Sequence, residues 1–489
     1  DYNRTFGRHD VNAMLLYNQD ELVNNVPGNN LINSLPKRKQ GLAGRLSYAY
    51  DGKYMAEVNM GYNGSENFAK GHRWGFFPSI ALGYNISEES FFEPLRKVIT
   101  SMKLRGSWGL VGNDQIGGER FIYMPTINLS GKGFTTGIDQ NYGLSGPVYT
   151  RYENNSITWE VGEKINLGID LQLLNSLNIV VDIFRETRRD IFQKKGTIPT
   201  YLGTGNTDVF GNLAEMKNQG LDLSIDYNKA FSKDFYMNFK GTFTYAHNEI
   251  TKYDEAPKYA FQSKVGQSAN VSQGYLSNGL FLDEAEIDRY NQQMGSTLGA
   301  GDIKYLNVSN MHGYGDDIVD VDDWTWIGNP TVPEIVYGFG PSFKYKNWDF
   351  SFFFQGVAKT SLFMSGFHPF GDNSLRNVLQ FVANDRWSPT NQNVDAKYPR
   401  LTRKTSLNNT NPGNSGRTSD YWMRDGSFLK LKNMELGYTF KRMRFYISGS
   451  NLLTFSKFDL WDPEQGGGSG LKYPTQRVFN VGFQMTFNN

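Results

Sequence analysis

The end of the chain, residues 476–489, alternates between apolar and polar positions. Its apolar residues are Phe479, Val481, Phe483, Met485 and Phe487. Successive side chains of an extended strand point to opposite faces, so the pattern predicts a strand with one apolar and one polar face. A fully apolar face suits a strand that separates lipid from the water inside a barrel. We expect this last strand to pair with the first strand of a closed barrel.

Similar alternation recurs along the chain and predicts about fifteen strands. In the first half they are a partial strand ending at Phe6, then 11–19, 42–50, 54–63, 76–86, 102–110 and 165–173. In the second half they are 179–183, 221–227, 235–245, 335–345, 348–354, 428–440, 445–453 and 476–489. The dipeptide Asp51-Gly52 between two alternating runs indicates a tight hairpin. The apolar parity changes between Leu431 and Met434, which predicts a β-bulge.

Short and long connections largely alternate along this series of strands. Short turns at one end and long loops at the other are typical of an outer-membrane barrel, with the turns facing the periplasm and the loops facing outside. The pattern therefore predicts an all-β fold, a transmembrane antiparallel β-barrel with long extracellular loops. Single-chain bacterial barrels have an even number of strands, so an odd count predicts that the N-terminal part of the barrel is missing and that this chain is a fragment or one piece of a split protein.

A soluble all-β protein, such as a propeller or a double sandwich, is the alternative fold. The uneven loop lengths and the lack of a repeat of blade length argue against it. So do strand faces as apolar as the one formed by Trp348, Phe350, Phe352 and Phe354, which would be unusual on the surface of a soluble protein.

Composition narrows the class of protein further. The 489 residues carry a formal net charge of +1, which gives no reason to expect nucleic acid as a partner. Mean hydropathy is -0.52, and the apolar runs are far shorter than the roughly 18 residues that a membrane-spanning helix needs. Cysteine is absent, which excludes disulfides and thiolate metal sites. No signal peptide precedes Asp1, so we expect the natural N-terminus to be processed or missing.

The residues give no sign of enzymatic chemistry. The five histidines, His9, His72, His247, His312 and His368, lack the spacing of metal ligands. The glycine-rich stretches 203–205 and 466–470 do not lead from a strand into a helix as phosphate-binding loops do, and no serine lies in a nucleophile elbow. We therefore predict no catalytic residue, no cofactor and no enzyme, and we assign no metal ligands.

Two sets of side chains could contact a transported molecule. Aromatic residues of the predicted loops could stack on sugar rings, although membrane-interface anchoring or packing would explain them equally well: Trp324, Trp326, Trp387, Tyr421, Trp422 and Trp461. Polar residues on strand faces opposite the apolar ones would line the barrel interior: Asp182, Asp222, Asp226 and Asn238. Their role would be hydration and contact with a plug as much as substrate binding, and the sequence does not identify substrate-binding residues.

Several stretches, in order along nearly the whole chain, resemble the SusC/RagA family of TonB-linked outer-membrane proteins of Bacteroidetes. The N-terminal stretches are Trp74-Gly75-Phe76-Phe77-Pro78-Ser79, Gly106-Ser107-Trp108-Gly109 and Asn166-Leu167-Gly168-Ile169-Asp170. The C-terminal ones are Tyr345-Lys346-Asn347-Trp348-Asp349-Phe350, Asp425-Gly426-Ser427-Phe428-Leu429-Lys430, Gly449-Ser450-Asn451-Leu452-Leu453 and Asp462-Pro463-Glu464. At Asn218-Gln219-Gly220 the chain departs from the Asn-Lys-Gly of the family.

The resemblance implies a TonB-dependent receptor barrel of 22 strands with an N-terminal plug. It implies nutrient import, usually of glycans or peptides, with a SusD-like surface lipoprotein as a lid and energy from the TonB complex, and allows a homodimer of the transporter-lipoprotein pair. Residues 1–489 would form the C-terminal portion of the barrel, and the plug and N-terminal strands would lie outside this chain. The alternative is a SusC-like barrel that serves as a structural scaffold of a surface complex. A siderophore or haem receptor fits the barrel but not these motifs.

The densest group of carboxylates lies in the long loop before residue 334. It comprises Asp316, Asp317, Asp320, Asp322 and Asp323. Carboxylate oxygens are ligands that calcium prefers, and members of the resembled family often have a calcium loop here. An insertion at residues 311–314 interrupts that ligand spacing in this chain. We therefore favour an acidic loop that contacts the partner lipoprotein over a calcium site.

Overall fold

The computed structural model describes residues 1–24, 34–115, 120–199, 201, 208–290, 292–293, 298–314, 316–367, 377–401 and 418–487. Among these residues it contains the fifteen predicted strands, hydrogen-bonded in antiparallel order. The chain divides into two compact units, which are described separately. No helix in the described ranges is long and apolar enough to cross a membrane.

Unit 1 comprises Asp1–Ser224, Ala246–Ala256 and Lys264–Gly266. Its strands are β1 (Tyr2–Phe6), β2 (His9–Leu22), β3 (Lys37–Tyr50), β4 (Tyr54–Ser65), β5 (Trp74–Asn85), β6 (Ile99–Asn113), β7 (Thr126–Thr136), β8 (Tyr142–Arg151), β9 (Glu160–Leu173), β10 (Leu177–Lys194) and most of β11 (Phe210–Ala230). The sheet runs in the order β1-β2-β3-β4-β5-β6-β9-β10-β11, and β7 and β8 form a separate hairpin. Two short 3₁₀ helices, Ile86–Glu88 and Ser90–Leu95, lie between β5 and β6.

The turns of unit 1 follow the local sequence. Asp51 and Gly52 both have positive φ, 56° and 66°, and Tyr50 pairs with Tyr54, which confirms the predicted hairpin. Asn and Asp tolerate this left-handed region better than most residues, and glycine adopts it freely. Short connections lie at one end of the strands, at 7–8, 51–53 and 174–176, and the long connections 23–36 and 114–159 lie at the other.

Unit 2 comprises Ile225–Tyr245, Pro257–Ser263 and Gln267–Asn489. Its main strands are β12 (Phe235–Lys252, which ends in unit 1), β19 (Ile335–Tyr345), β20 (Trp348–Ala358), β23 (Phe428–Phe440), β24 (Met443–Ser456) and β25 (Val478–Met485), paired in that order. Short strands in the loops pair as β13–β18, β14–β16, β15–β17 and β21–β22. They are β13 (Ser272–Gly274), β14 (Ser277–Leu280), β15 (Gln292–Gln293), β16 (Ile303–Tyr305), β17 (Ile318–Val319), β18 (Thr325–Ile327), β21 (Ser361–Phe363) and β22 (Met423–Asp425).

The helices of unit 2 are short and lie in its long loops. The α-helices are Glu284–Arg289, Val308–Met311 and Gln380–Asn384. The 3₁₀ helices are Ala260–Gln262, Val321–Asp323, Asp420–Trp422 and Pro463–Gln465.

The predicted bulge lies in β23. Phe353 pairs with Asn433 and Phe354 pairs with Leu431, so Lys432 is the extra residue on the bulged strand. The register with β24 also shifts between Leu431 and Asn433. The change of apolar parity therefore reflects one additional residue, and the prediction is confirmed.

The sheet of unit 2 leaves its apolar face exposed. Val481 on β25 is 87% exposed, and Phe479 and Phe483 on the same face are also exposed. β25 pairs with β24, from Met443 opposite Met485 to Ser450 opposite Val478. Pairing of this strand with the first strand of a whole barrel stays a prediction.

The buried hydrophobic core of unit 2 lies in its loops. Buried residues from the connections 253–334, 359–427 and 457–477 form one cluster. Its buried members are Tyr275, Leu280, Ile303, Tyr305, Val319, Leu362, Phe363, Met364, Phe367, Val382, Trp387, Ala396, Tyr398, Trp422 and Phe458. We call this cluster the loop core. A smaller cluster in unit 1 comprises Phe68, Ile122, Ile157 and Trp159.

Candidate functional site

A charged cluster lies on the polar face of unit 1. Arg105 on β6 donates hydrogen bonds to Asp170 Oδ1 at 2.7 Å and to Asp182 Oδ2 at 3.0 Å. Arg105 and Asp182 are both in register with Gly168, which lies on the strand between theirs. Because glycine has no side chain, the guanidinium can cross this middle strand. The predicted interior residue Asp182 is therefore part of an ion cluster in which two carboxylates share one arginine.

Unit 2 has a similar cluster on its polar face. Arg444 on β24 donates to Asp349 Oδ1 at 3.0 Å and to Glu435 Oε1 at 2.5 Å. Gly437, in register with Asp349, leaves the space that these groups occupy. Charge alternation along single strands does not reveal either cluster. A glycine at a polar-face position, flanked in register by an arginine and an aspartate, is the signal that could have found the cluster of unit 1. Gly437 is flanked in register by Asp349 and Tyr446, so the cluster of unit 2 has no such signal.

The other predicted interior residues lie on neighbouring strands. Asn238 on β12 donates to Asn228 Oδ1 at 2.6 Å, and Asn228 in turn donates to Asp226. Lys240 Nζ lies 3.8 Å from Asp226 Oδ2, so Asp226 and Asn238 belong to one polar group. Asp222 lies further along β11 with a partly buried side chain.

The aromatic residues considered for ligand stacking lie in or against the loop core. Trp422 and Trp387 are buried in it, and Gly301 approaches the Trp387 ring so closely that a Cβ there would lie 2.3 Å from it. The other four are partly buried, and three of them make polar contacts with the backbone. Tyr421 Oη donates to the carbonyl of Ala396 at 2.7 Å. Trp461 Nε1 donates to the carbonyl of Gly466 at 2.9 Å, and Trp326 Nε1 donates to that of Ser263 at 2.9 Å. Trp324 packs edge-on against Tyr275. Packing within the loops is the role these contacts support.

Charged and phenolic groups of the loop core also have structural partners. Arg400 binds the fully buried Asp302 through Nε at 2.6 Å and Nη2 at 2.9 Å. These hydrogen bonds to Asp302 raise the pKa of Arg400, although burial opposes them. Burial raises the pKa of Tyr421, so its hydroxyl remains a hydrogen-bond donor at neutral pH. Sequence patterns did not predict this folded loop core.

The acidic loop is organised by its own hydrogen bonds. Asp323 Oδ1 accepts from the backbone of Ser309 at 2.9 Å and Oδ2 from that of Asp320 at 2.8 Å. Asp316 accepts from the backbone of Ile318 at 3.1 Å and from Ser309 Oγ at 3.3 Å. Asp320 accepts from the backbone of Asp322 at 2.8 Å.

The other two carboxylates of this loop differ in exposure. Asp322 pairs with Lys258, and that hydrogen bond raises the pKa of the lysine. Asp317 is exposed. Within the part of the chain that the structure describes, no three His, Cys, Asp or Glu side chains are placed to hold a metal ion together.

Within the described residues, the histidines and glycine-rich stretches that were considered for ligand binding do not form a common site. His9 Nδ1 lies 2.8 Å from Tyr48 Oη, and His312 stacks on Phe261 with ring centroids 4.6 Å apart. Gly467 packs against the backbone of Phe363, where a Cβ would lie 2.5 Å from the carbonyl oxygen, so this glycine-rich stretch packs against the loop core. His368 and residues 203–205 lie outside the described residues.

The strands of this chain match a known family of proteins. Residues 1–452 match the family model described as TonB dependent receptor-like, beta-barrel. The chain belongs to this family. The TonB-dependent receptor β-barrel is an outer-membrane fold, so the predicted fold class and location are confirmed. In such a barrel the exposed apolar face meets lipid, and the ion clusters lie on the face that lines the interior.

Individual relatives confirm the resemblance to the SusC/RagA group. The TonB-dependent receptor SusC of Bacteroides thetaiotaomicron is 28% identical over 471 residues, which cover 91% of this chain and 43% of SusC. The TonB-dependent receptor P3 of Formosa agariphila is 26% identical over 481 residues, covering 91% of this chain and 45% of P3. This TonB-dependent receptor chain therefore spans about half the length of the curated relatives it matches.

Solved structures support the same fold. The RagAB peptide transporter matches with a TM-score of 0.71 at 20% identity, covering 99% of this chain and 54% of that chain. At this identity the likeness concerns the fold alone. That residues 1–489 form the C-terminal portion of the barrel stays a prediction.

Proposed function

We propose that this chain forms part of the wall of an outer-membrane importer for glycans or peptides. In this proposal a plug closes the barrel, a SusD-like lipoprotein covers its outer mouth, and the TonB complex supplies the energy. Membership of the TonB-dependent receptor family supports import. RagAB is a peptide importer, which makes peptides one candidate substrate class, and the resemblance to the SusC/RagA family makes glycans the other.

The observation that carries this proposal is the contrast between the two faces of the sheet. One face exposes apolar side chains such as Val481, whereas the other holds paired charges around Arg105 and Arg444. A wall between lipid and a hydrated interior needs both faces. The charges are already paired with one another, and we propose that no residue of this chain carries out catalysis.

A hairpin in unit 1 supports an extracellular protein partner. β7 and β8 pair with each other outside the main sheet, with one further bridge from Arg151 to Asp208. They expose apolar side chains, including Leu129 at 78% and Phe134 at 73% exposure. An isolated two-stranded hairpin is only marginally stable in water, and exposed apolar side chains favour contact with another protein. A lid lipoprotein would cover such a surface.

Deletion of the gene for the whole receptor tests import. We expect the deletion strain to lose growth when one polymeric glycan or peptide mixture is the sole source of carbon. Growth on the corresponding monomers should be unchanged. The wild-type gene should restore growth only in a strain with a functional TonB. The receptor purified from outer membranes in mild detergent should bring a surface lipoprotein with it.

The scaffold alternative gives a different result. A scaffold subunit would be required for assembly of a surface complex, but its deletion would leave uptake of every tested polymer unchanged. Unchanged uptake together with loss of surface proteins would overturn the import proposal. The named relatives are a receptor and an importer, which supports import rather than the scaffold.

A further inference from the structure

The insertion in the acidic loop is held in place by a series of stacked rings. His312 stacks on Phe261 at 4.6 Å, and Phe261 stacks on Tyr259 at 5.5 Å. Tyr314 packs against Tyr259 at 4.2 Å. The two inserted aromatic residues therefore pack onto the turn at 259–261, and aromatic pairs of this kind stabilise a loop beyond the effect of the surface area they bury.

Local hydrogen bonds fix the same segment from the other side. The side chain of Asn307 accepts from the backbone of Asn310 at 2.7 Å and begins the short helix Val308–Met311. Val308 and Ser309 are buried, and the Tyr314 amide donates to the carbonyl of Ser309 at 3.1 Å. These contacts lie within the loop itself, and a loop that is already held in one conformation loses less entropy when a partner binds.

This ordered segment presents apolar side chains outward. Met311 is 70% exposed and Val321 is 56% exposed, and Tyr314 and Ile318 are also exposed. Together with His312 and Asp317 these residues form a surface that we call the insertion patch. Methionine and aromatic residues are enriched in protein interfaces, whereas a sugar site would not need exposed Met, Ile and Val side chains.

The charge of the patch specifies its partner further. Residues 308–323 contain five aspartates and no lysine or arginine, and Lys258 pairs with Asp322, so the segment carries a net negative charge. Several of these carboxylates accept hydrogen bonds from backbone amides, and Asp317 is exposed. A protein that docks here needs lysine or arginine around an apolar pocket, because complementary charge steers association and excludes other partners.

We infer that the insertion patch is a docking surface for the lid lipoprotein and that it selects a lid with a basic rim around an apolar pocket. The inference rests on the proposed function, because the lid is part of it. The insertion interrupts the pattern seen in the resembled family, so the patch would distinguish the lid of this receptor from the lids of its relatives.

The test uses the full receptor and its own lid. The lipoprotein that copurifies with the wild-type receptor is identified as acylated by mass spectrometry, purified separately and titrated onto receptors in nanodiscs. Met311→Asp and Asp317→Lys change the patch. Met311→Leu keeps the apolar side chain, and Asp234→Lys makes the same charge change in the turn between β11 and β12, at the opposite end of the strands.

We expect Met311→Asp and Asp317→Lys each to raise the dissociation constant about tenfold or more. The effect of Asp317→Lys should lie mainly in the association rate and should shrink as salt increases. Met311→Leu and Asp234→Lys should bind like the wild type. Receptor folding is checked by the heat-dependent mobility of each variant on gels.

Two results would overturn the inference, and they separate failure of the docking site from failure of the proposed function. If the wild type binds the lipoprotein and both patch variants bind it equally well, the lid docks elsewhere while the import proposal stands. If the wild-type receptor brings no lipoprotein at all, the lid itself is absent and the proposed function fails first. A variant that misfolds is replaced by Asp317→Asn, for which unchanged affinity and salt dependence would count against the patch.

Discussion

The guanidinium of Arg105 occupies the space above Gly168, its partner in the register of β6 and β9. A Cβ atom on Gly168 would lie 2.9 Å from Arg105 Nη2 and 2.5 Å from Asp182 Oδ1. Absence of a side chain at this position therefore lets an arginine bind a carboxylate two strands away. The equivalent position in unit 2 is Gly437, where a Cβ would lie 2.6 Å from Arg444 Nη2.

Replacing Gly168 by valine should separate Arg105 from Asp182. We expect Gly168→Val to lower the free energy of unfolding by about 1–3 kcal/mol, as overpacking usually does, because the charged groups must move or the strand must shift. Urea titration of the receptor refolded into lipid vesicles measures this change. Gly143→Val on β8 is the control, since a Cβ there meets no atom within 4 Å. Equal stability of Gly168→Val and wild type would contradict the proposed crossing.

Lys430 ties the loop 457–477 to β23. Its side chain is 1% exposed, and its Nζ lies 2.6 Å from Asp462 and 2.8 Å from Glu464. Lys430→Met should leave these carboxylates without their shared cation and weaken loop attachment by about 2–3 kcal/mol. This loss is smaller than the loss for a fully buried ion pair, because both acids keep some exposure. Limited proteolysis of the loop should accelerate accordingly.

A lysine on the same loop provides the control for that change. Lys457 is 86% exposed and lies 3.5 Å from Asp425. An exposed pair contributes little, so Lys457→Met should leave the cleavage rate within about twofold of wild type at sites away from residue 457. Similar rates for the two variants would show that Lys430 does not hold the loop.

Attachment of this loop should also depend on pH. Burial raises the pKa of Asp462 and of Glu464, but several hydrogen bonds together outweigh it, and both pKa values lie below the ordinary 3.8 and 4.5. Lys430 donates to both acids, and Lys432 also donates to Glu464. A carboxyl whose pKa is lower in the folded chain stabilises that state above its unfolded pKa, and the stabilisation is lost as pH falls through the folded value. We therefore expect full attachment at neutral pH and progressive loosening below about pH 4.5.

Hydrogen exchange of peptides from 457–477, corrected for the intrinsic effect of pH, measures that loosening. In Lys430→Met the two acids lose the cation that they share, although Glu464 keeps Lys432, so the pH dependence between neutral and acidic conditions should become smaller but not vanish. An unchanged pH profile in this variant would assign the loosening to other groups.

Strand positions could be predicted from the sequence because lipid imposes alternation on every spanning segment. The bounds of β19 (Ile335–Tyr345) and β23 (Phe428–Phe440) agree with the predicted ones. β10 instead continues to Lys194, well beyond the apolar run that ends at Ile183. Past that point Arg185 and Thr187 take the alternating positions, since backbone pairing persists where the strand has left the lipid.

Loop structure could not be predicted in the same way. The β7–β8 hairpin has three register shifts, which remove the regular alternation that marks a strand. Trp387 is buried by contact with Gly301, and Asp302 is paired with Arg400, so each contact joins distant parts of the chain. The sequence correctly places Trp387 and Trp422 in loops. Only the folded loop core shows that both side chains are packed inside it.

The two faces of β25 should respond oppositely to the same charge. Val481 is 87% exposed on the apolar face and Asn480 lies on the polar face, paired with Ser448. An arginine facing lipid costs about 2–4 kcal/mol near the middle of the bilayer, whereas an arginine facing the interior stays hydrated. Val481→Arg should therefore reduce the amount of folded, heat-modifiable receptor in the outer membrane, and Asn480→Arg should leave it close to wild type. The reverse order would mean that the apolar face of β25 does not meet lipid, which would contradict the orientation assigned to the ion cluster around Arg444.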